Sequence, residues 1–312
     1  EPNAAIFSTA DFTIYGNGSL VVDGNYNDGI SSKDGLIIKS GTISVSAVDD
    51  GIRGKDYLIL KDGNVTVNSS GDGFKSDNSD DTKKGYVLIE GGTINITSSL
   101  DAITAQTDAL ISNGDIILKS GGGSSKTVSS SISAKAIKGV ASVIVDNGTL
   151  SINSADDAIH TNGAITINGG TFEISSGDDG IHADSIISIN AGNITITKCY
   201  EGIESKDITI NDGNITLTSS DDGINGAGGN DGSGTTGWTN GVSAGSYYLY
   251  INGGYIVVYS TGDGIDVNGA ITMTNGTVIV HGPTSNGNGP LDYDSSFKIS
   301  GGFLLAVGSS GM

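Results

Sequence analysis

Five stretches of the chain write one acidic pattern: "VDDGIRGKD" (Val48–Asp56), "SGDGFKSD" (Ser70–Asp77), "SADDAIHTN" (Ser154–Asn162), "SGDDGIHAD" (Ser176–Asp184) and "SSDDGINGA" (Ser219–Ala227). Carboxylates in pairs are hard oxygen ligands, and left alone they repel. Two charges about 4.8 Å apart, the spacing of neighbouring strands, cost roughly 3 kcal/mol at an effective dielectric of 20. Either protons or cations must sit among them. Calcium suits such corners, because it takes about six to eight oxygens in irregular geometry and combines carboxylates with backbone carbonyls. The expected calcium ligands form three nests: Asp49, Asp50, Asp72 and Asp77; Asp156, Asp157, Asp178, Asp179 and Asp184; and Asp221, Asp222 and Asp263. Zinc fits less well, since His160 and His182 stand among oxygens with no cysteine set beside them. A turn Asp bonded to its own backbone explains one acid per corner, and explains a doubled acid poorly.

The acids are positioned by a repeat. With the acid before the Gly-Ile pair as position zero, steps of 22 residues separate Asp28, Asp50 and Asp72, and again Lys135, Asp157, Asp179 and Glu201. Lys135, in "KAIKG", is a degenerate copy in the same slot. Each repeat carries three short alternating pieces, such as "GIHAD", "IISINAG" and "NITITK", separated by Gly, Asn or Asp. Pieces this short, at this regular a period, stack in parallel with their equivalents one repeat away. The predicted fold is all-β: a right-handed parallel β-helix of about ten coils of 22 residues, three strands per coil. Two residues after zero stand Ile30, Ile52, Phe74, Ile103, Ile137, Ile159, Ile181, Ile203, Ile224 and Ile265, an interior stack. Three before it stand Ser69, Ser98, Ser154, Ser176, Ser219 and Ser260, a serine ladder. Alternation then turns positions −1, +1 and +3 outward, so the glycines at +1 are expected to floor a shallow face. Three long steps imply loops near 77–85, 106–131 and 227–246 on a single domain spanning 1–312.

Composition narrows the partners. A net charge of −20 lacks the basic footprint that nucleic acid requires. The single cysteine, Cys199, excludes an intrachain disulfide framework and reads as a small stacking residue. No apolar run is long enough to span a membrane. A shallow polar face suits an extended polymer better than a small apolar ligand. Of the 15 Lys and Arg, 12 lie at or before Lys138, so the N-terminal half is the better polyanion site. The carbohydrate-binding candidates are Arg53, Lys55, Lys75, His160 and His182 on that face. For a neutral glucan, Trp238 with Tyr247, Tyr248 and Tyr250 could offer platforms, or could simply cover the core.

The "DDGI" corners on a three-strand repeat resemble those of the parallel β-helix polysaccharide lyases, especially calcium-dependent pectate lyases. The chain is more similar still to a bacterial carbohydrate-binding β-helix family related to those lyases. The lyase resemblance implies a Lys or Arg that takes the C5 proton of an acidic sugar while calcium neutralises its carboxylate. Lys75 or Arg53 would be that base. Such lyases often carry an acid at +3 after the doubled acid. Here those positions are Arg53, His160, His182 and Asn225, while Asp266 follows Gly262 rather than an acid.

The expected protein is a secreted or cell-surface monomer. It is loaded with several Ca2+ ions and binds cellulose or acidic cell-wall sugars such as polygalacturonic acid (pectin) without cleaving them. A pectate lyase acting by β-elimination, and a structural stalk or adhesin segment, are the alternatives.

Overall fold

The structure, a computed structural model, describes residues 2–227 and 247–310. The described residues contain strands and no helix, and every named strand pair is parallel. A coil is typified by Ile52–Gly54, Tyr57–Leu60 and Asn64–Ser69, three strands on three sides of a tube. Each strand pairs in register with its equivalent one repeat on: Ile30 faces Ile52, Val65 faces Ile94, Ile159 faces Ile181. In two coils the first two strands run together, as Ile181–Ile189 and Ile203–Ile210. The third strands form a twelve-stranded sheet among the described residues, so the β-solenoid has more coils than the ten expected. The extra rungs lie at the two ends, where no acid-Gly-Ile motif marks them.

One continuous core fills the tube. Ile30, Ile52, Phe74, Ile137, Ile159, Ile181, Ile203, Ile224 and Ile265 are all fully buried in a single stack. Burying each such side chain contributes about 1.5–3 kcal/mol. The third strands keep strict alternation, Val65 and Val67 inward with Asn64, Thr66 and Asn68 outward. The corner before each third strand needs a left-handed backbone, which glycine adopts without a steric penalty. Gly63 and Gly192, with φ of 122° and 120°, supply it. An exposed amide ladder runs beside this corner: Asn190 donates to Asn168, Asn211 to Asn190 and Asn252 to Asn211, at 2.8–2.9 Å. Cys199 is buried in the core, as its small-residue column implies.

The glycine floor is not where alternation placed it. A Cβ on Gly29 would lie 2.2 Å from Val45 Cγ1, and one on Gly51 would lie 2.3 Å from Val67 Cγ1. Position +1 therefore points into the core, as does +2. The chain bends between zero and +2, and a bend breaks the two-residue alternation of a strand. Ala102, Ala136 and Ala158 fill the same interior slot in other coils. Gly51→Val should destabilise the fold by about 3 kcal/mol or more through overpacking, read from the urea midpoint.

The insertion near 106–131 is also shorter than expected. Asp108–Ile111 and Asp115–Ser120 are regular strands, and the excursion is confined to 121–136. Residues 77–85 carry no strand. Trp238 and all but the first residue of the 227–246 loop lie outside the described residues.

Candidate functional site

The acids at position zero do two jobs with two oxygens. Oδ1 accepts the backbone N–H of the next coil's position zero: Asp72 N to Asp50 at 3.0 Å, Asp101 N to Asp72 at 3.0 Å, Asp179 N to Asp157 at 3.1 Å and Glu201 N to Asp179 at 3.1 Å. The ladder serine closes the same corner, with Ser176 Oγ donating to Asp178 O and Ser219 Oγ to Asp221 O. The column is thus a structural seam that satisfies one buried amide per coil. Oδ2 is left for a side chain of the +3 column, on the same coil (Lys75 for Asp72, His160 for Asp157) or the next (Arg53 for Asp28, Lys75 for Asp50), and that partner changes from coil to coil.

In the first nest the partners are cations. Lys75 Nζ lies 3.0 Å from Asp50 Oδ2 and 2.8 Å from Asp72 Oδ2. Arg53 Nη2 lies 2.6 Å from Asp77 Oδ2, which takes Asp77 away from the nest. The carboxylates that do converge here are Asp28, Asp49 and Asp50, with oxygens within 4.8 Å of one another. Lys55 reaches outward to Asp80 at 3.7 Å. Burial lowers the Lys75 pKa, but Asp72 and Asp50 outweigh it and hold the ammonium well above its ordinary range. Lys75 is therefore a cation rather than a base at neutral pH.

In the second nest, Asp156, Asp157 and Asp178 converge within 4.8 Å. Sequence reasoning passed over Lys135 as a degenerate repeat. Its Nζ lies 2.9 Å from Asp156 Oδ1 and 2.5 Å from Asp157 Oδ2, almost fully buried. A lysine in the acid slot places a charge inside the next coil's acid pair. Burial raises the Asp157 pKa, but the His160 hydrogen bond and Lys135 together hold it well below the usual range. Asp178, pushed up to about 7 by burial and then by Asp179 and Asp157, keeps less compensation. Asp184 stands apart, accepting Asn162 Nδ2 at 2.9 Å. His160 and His182 are 4% and 1% exposed, so neither presents a ring face to sugar as the outward reading required. Each instead bonds the acid three residues before it, at 2.8 and 3.0 Å.

The third nest has no such cations. The sequence holds no Lys or Arg between Lys206 and Lys298. Asp222 and Asp263 are joined there by Asp266, with one oxygen from each lying within 4.8 Å of the others. Burial, then the facing acids, pushes Asp266 up to about 8, and burial with Asp221 and Glu201 pushes Asp222 to about 7. The sequence columns already set Asp266 in the +3 slot after Asn225, but they read that slot as an outward polar column and not as a ligand; the fold pairs the two in register and brings the Asp266 carboxylate to Asp222 and Asp263.

Two grooves flank the 121–136 insertion. One, of about 390 Å³, is lined by Lys75, Thr104, Gln106, Ser133 and Lys138. The other, of about 590 Å³, is lined by Lys126, Lys135, Asn162 and Asp178. At the far end of the solenoid Tyr248 stacks on Tyr250, with ring centroids 5.9 Å apart, and Tyr250 is exposed. Tyr247 packs against the core.

Fold and site together define a parallel β-solenoid with an acidic, partly neutralised seam and open polar grooves along one face. The chain belongs to the carbohydrate-binding domain-containing protein family, whose model matches residues 1–180, 177–223 and 187–289. A carbohydrate-binding domain-containing protein of Acetivibrio thermocellus is 53% identical over 122 residues, 39% of this chain. The matched segment spans 43% of that relative's length. No solved structure matches the chain significantly. Among the described residues no helix is long and apolar enough to cross a membrane.

Proposed function

We propose that this domain binds acidic polysaccharide of the polygalacturonate type, outside the cell or on its surface, without cleaving it. The observation that carries this is the groove that holds Lys75 and Lys138, with Gln106 and Ser133, among Asp72, Asp77 and Asp101: on a strongly acidic molecule it is a place where two cations stand close together. A polyanion is repelled by a −20 surface except where cations are locally concentrated. Uronate carboxylates would meet Lys138 and Lys75, and ring hydroxyls would meet Gln106 and Ser133. A protonated Lys75 supports binding over proton abstraction. Calcium would occupy the third nest, at Asp222, Asp263 and Asp266, as structural cement.

Isothermal titration with polygalacturonate oligomers checks this reading. The Lys75→Ala, Lys138→Ala double variant should bind about a hundredfold or more weakly, since each charge-assisted hydrogen bond contributes about 1.5–3 kcal/mol. Binding to insoluble cellulose that survives in this variant, with no titration by polygalacturonate, would place the site on the tyrosine-bearing end instead. Growth of ultraviolet-absorbing unsaturated product would mean that the domain is a lyase. Failure on every polysaccharide would leave the stalk reading.

A further inference from the structure

The acid column and the +3 column meet in one closed cluster on two successive coils. Asp179, His182 and Glu204 each offer a ligand atom, the three atoms lie within 4.8 Å of one another, and all three side chains are buried. His182 Nδ1 lies 3.0 Å from Asp179 Oδ2 and 3.4 Å from Glu204 Oε2. On the other side of the ring, Nε2 lies 3.6 Å from Asp184 Oδ1. Asp179 Oδ1 is engaged by the Glu201 amide, so Oδ2 is the oxygen that faces the cluster. Glu204 is 3% exposed, and its Oε2 accepts no hydrogen bond. Two carboxylates share one imidazole here, whereas Lys135 is committed to Asp156 and Asp157.

We propose that Asp179, His182 and Glu204 bind one divalent transition-metal ion of the zinc type, at a site distinct from the calcium corner. The donor set is one nitrogen and two carboxylate oxygens. Calcium takes oxygen ligands, about six to eight of them, and a closed pocket cannot supply the missing ones as water. Zinc is satisfied by four ligands in tetrahedral array and accepts imidazole with carboxylate, so the three donors leave it one ligand short, against three or more for calcium, and a single water would complete it. Asp184 stands where a metal-bound imidazole needs an acceptor for its other N–H, fixing the tautomer with Nδ1 toward the metal. The His160 ring, 5.0 Å away centroid to centroid, packs against His182 and helps set its plane. Burial, then Asp179 and Glu201, raises the Glu204 carboxyl pKa, and a divalent charge in the pocket reverses that pressure.

Chelator-stripped protein titrated with Co2+ should take up one ion per chain, with a visible absorption band of tetrahedral type. Zn2+ should displace it, and excess Ca2+ should not. Glu204→Gln and His182→Gln should abolish uptake, while Asp184→Asn should weaken it about tenfold. Asp266→Asn should leave it unchanged, because that residue belongs to the calcium proposal. Glu204→Gln removes a carboxylate ligand without changing shape, so it carries the test even if His182→Gln fails to fold. No uptake of Co2+ or Zn2+, uptake that persists in folded Glu204→Gln protein, or displacement by calcium would overturn the assignment.

Discussion

In a chelating buffer the protein should lose stability as the pH rises from about 4 to about 8, and millimolar calcium should remove most of that loss. The native carboxyls of Asp222 and Asp266 stand near 7 and 8, against 3.8 for an ordinary aspartate. The folded state thus holds protons in this window that the unfolded state has released. Stability from these groups is complete below 3.8, and it fades as pH climbs through their native values. The slope has the opposite sign to that of a protein held by salt-bridged aspartates. Calcium at Asp222, Asp263 and Asp266 would replace the protons and flatten the curve. We expect the melting temperature without calcium to fall by at least about 5 °C across the window, equivalent to a few kcal/mol for a chain of this size. The Asp222→Asn, Asp266→Asn double variant should lose the calcium response and the share of the pH slope that these two groups supply, while Asp178, raised to about 7, keeps its own share. Stability that rises with pH in chelator, or a slope indifferent to calcium, would refute the assignment. Differential scanning calorimetry at fixed ionic strength makes the measurement.

The second large effect lies at Lys135. Replacing it with Met keeps the aliphatic stem but leaves Asp156 and Asp157 facing each other at a buried corner. Breaking a buried ion pair from one side costs about 3–5 kcal/mol, because the other charge stays without compensation. Urea denaturation at pH 7 should show that loss. The deficit should shrink in acid: Asp157 is held below the ordinary 3.8, so its contribution is present above that value and lost as pH falls. Adding Asp157→Asn to Lys135→Met should recover a large part of the stability at neutral pH. A Lys135→Met protein as stable as the parent would mean that solvent reaches this corner freely.

The acidic corners, read as sequence, gave a calcium chain with many equivalent nests. The fold separates them. Lys75 and Lys135 already answer the acids of the first two nests, and around the third there is no Lys or Arg for 91 positions, from Asp207 to Phe297. That gap was visible in the sequence. Its meaning was not, because which lysines answer the acids of the first two nests is set by contacts between coils.

The 22-residue step, the interior isoleucine stack and the serine ladder were determined by the sequence alone. In a solenoid the same slot recurs at the same environment, so a column of one residue type is a direct record of burial. The depth and direction of the polar columns were decided by tertiary structure. The bend after position zero turns Gly51 and Gly180 inward against Val67 and Ile196, which strand alternation cannot reveal. Packing of adjacent coils then closes over His160 and His182 and fills the acid seam from the coil before or after. Which carboxylate oxygen holds a backbone amide and which is left for a cation depends on contacts between coils. Those contacts join residues at least 21 apart in the chain, and no local pattern specifies them.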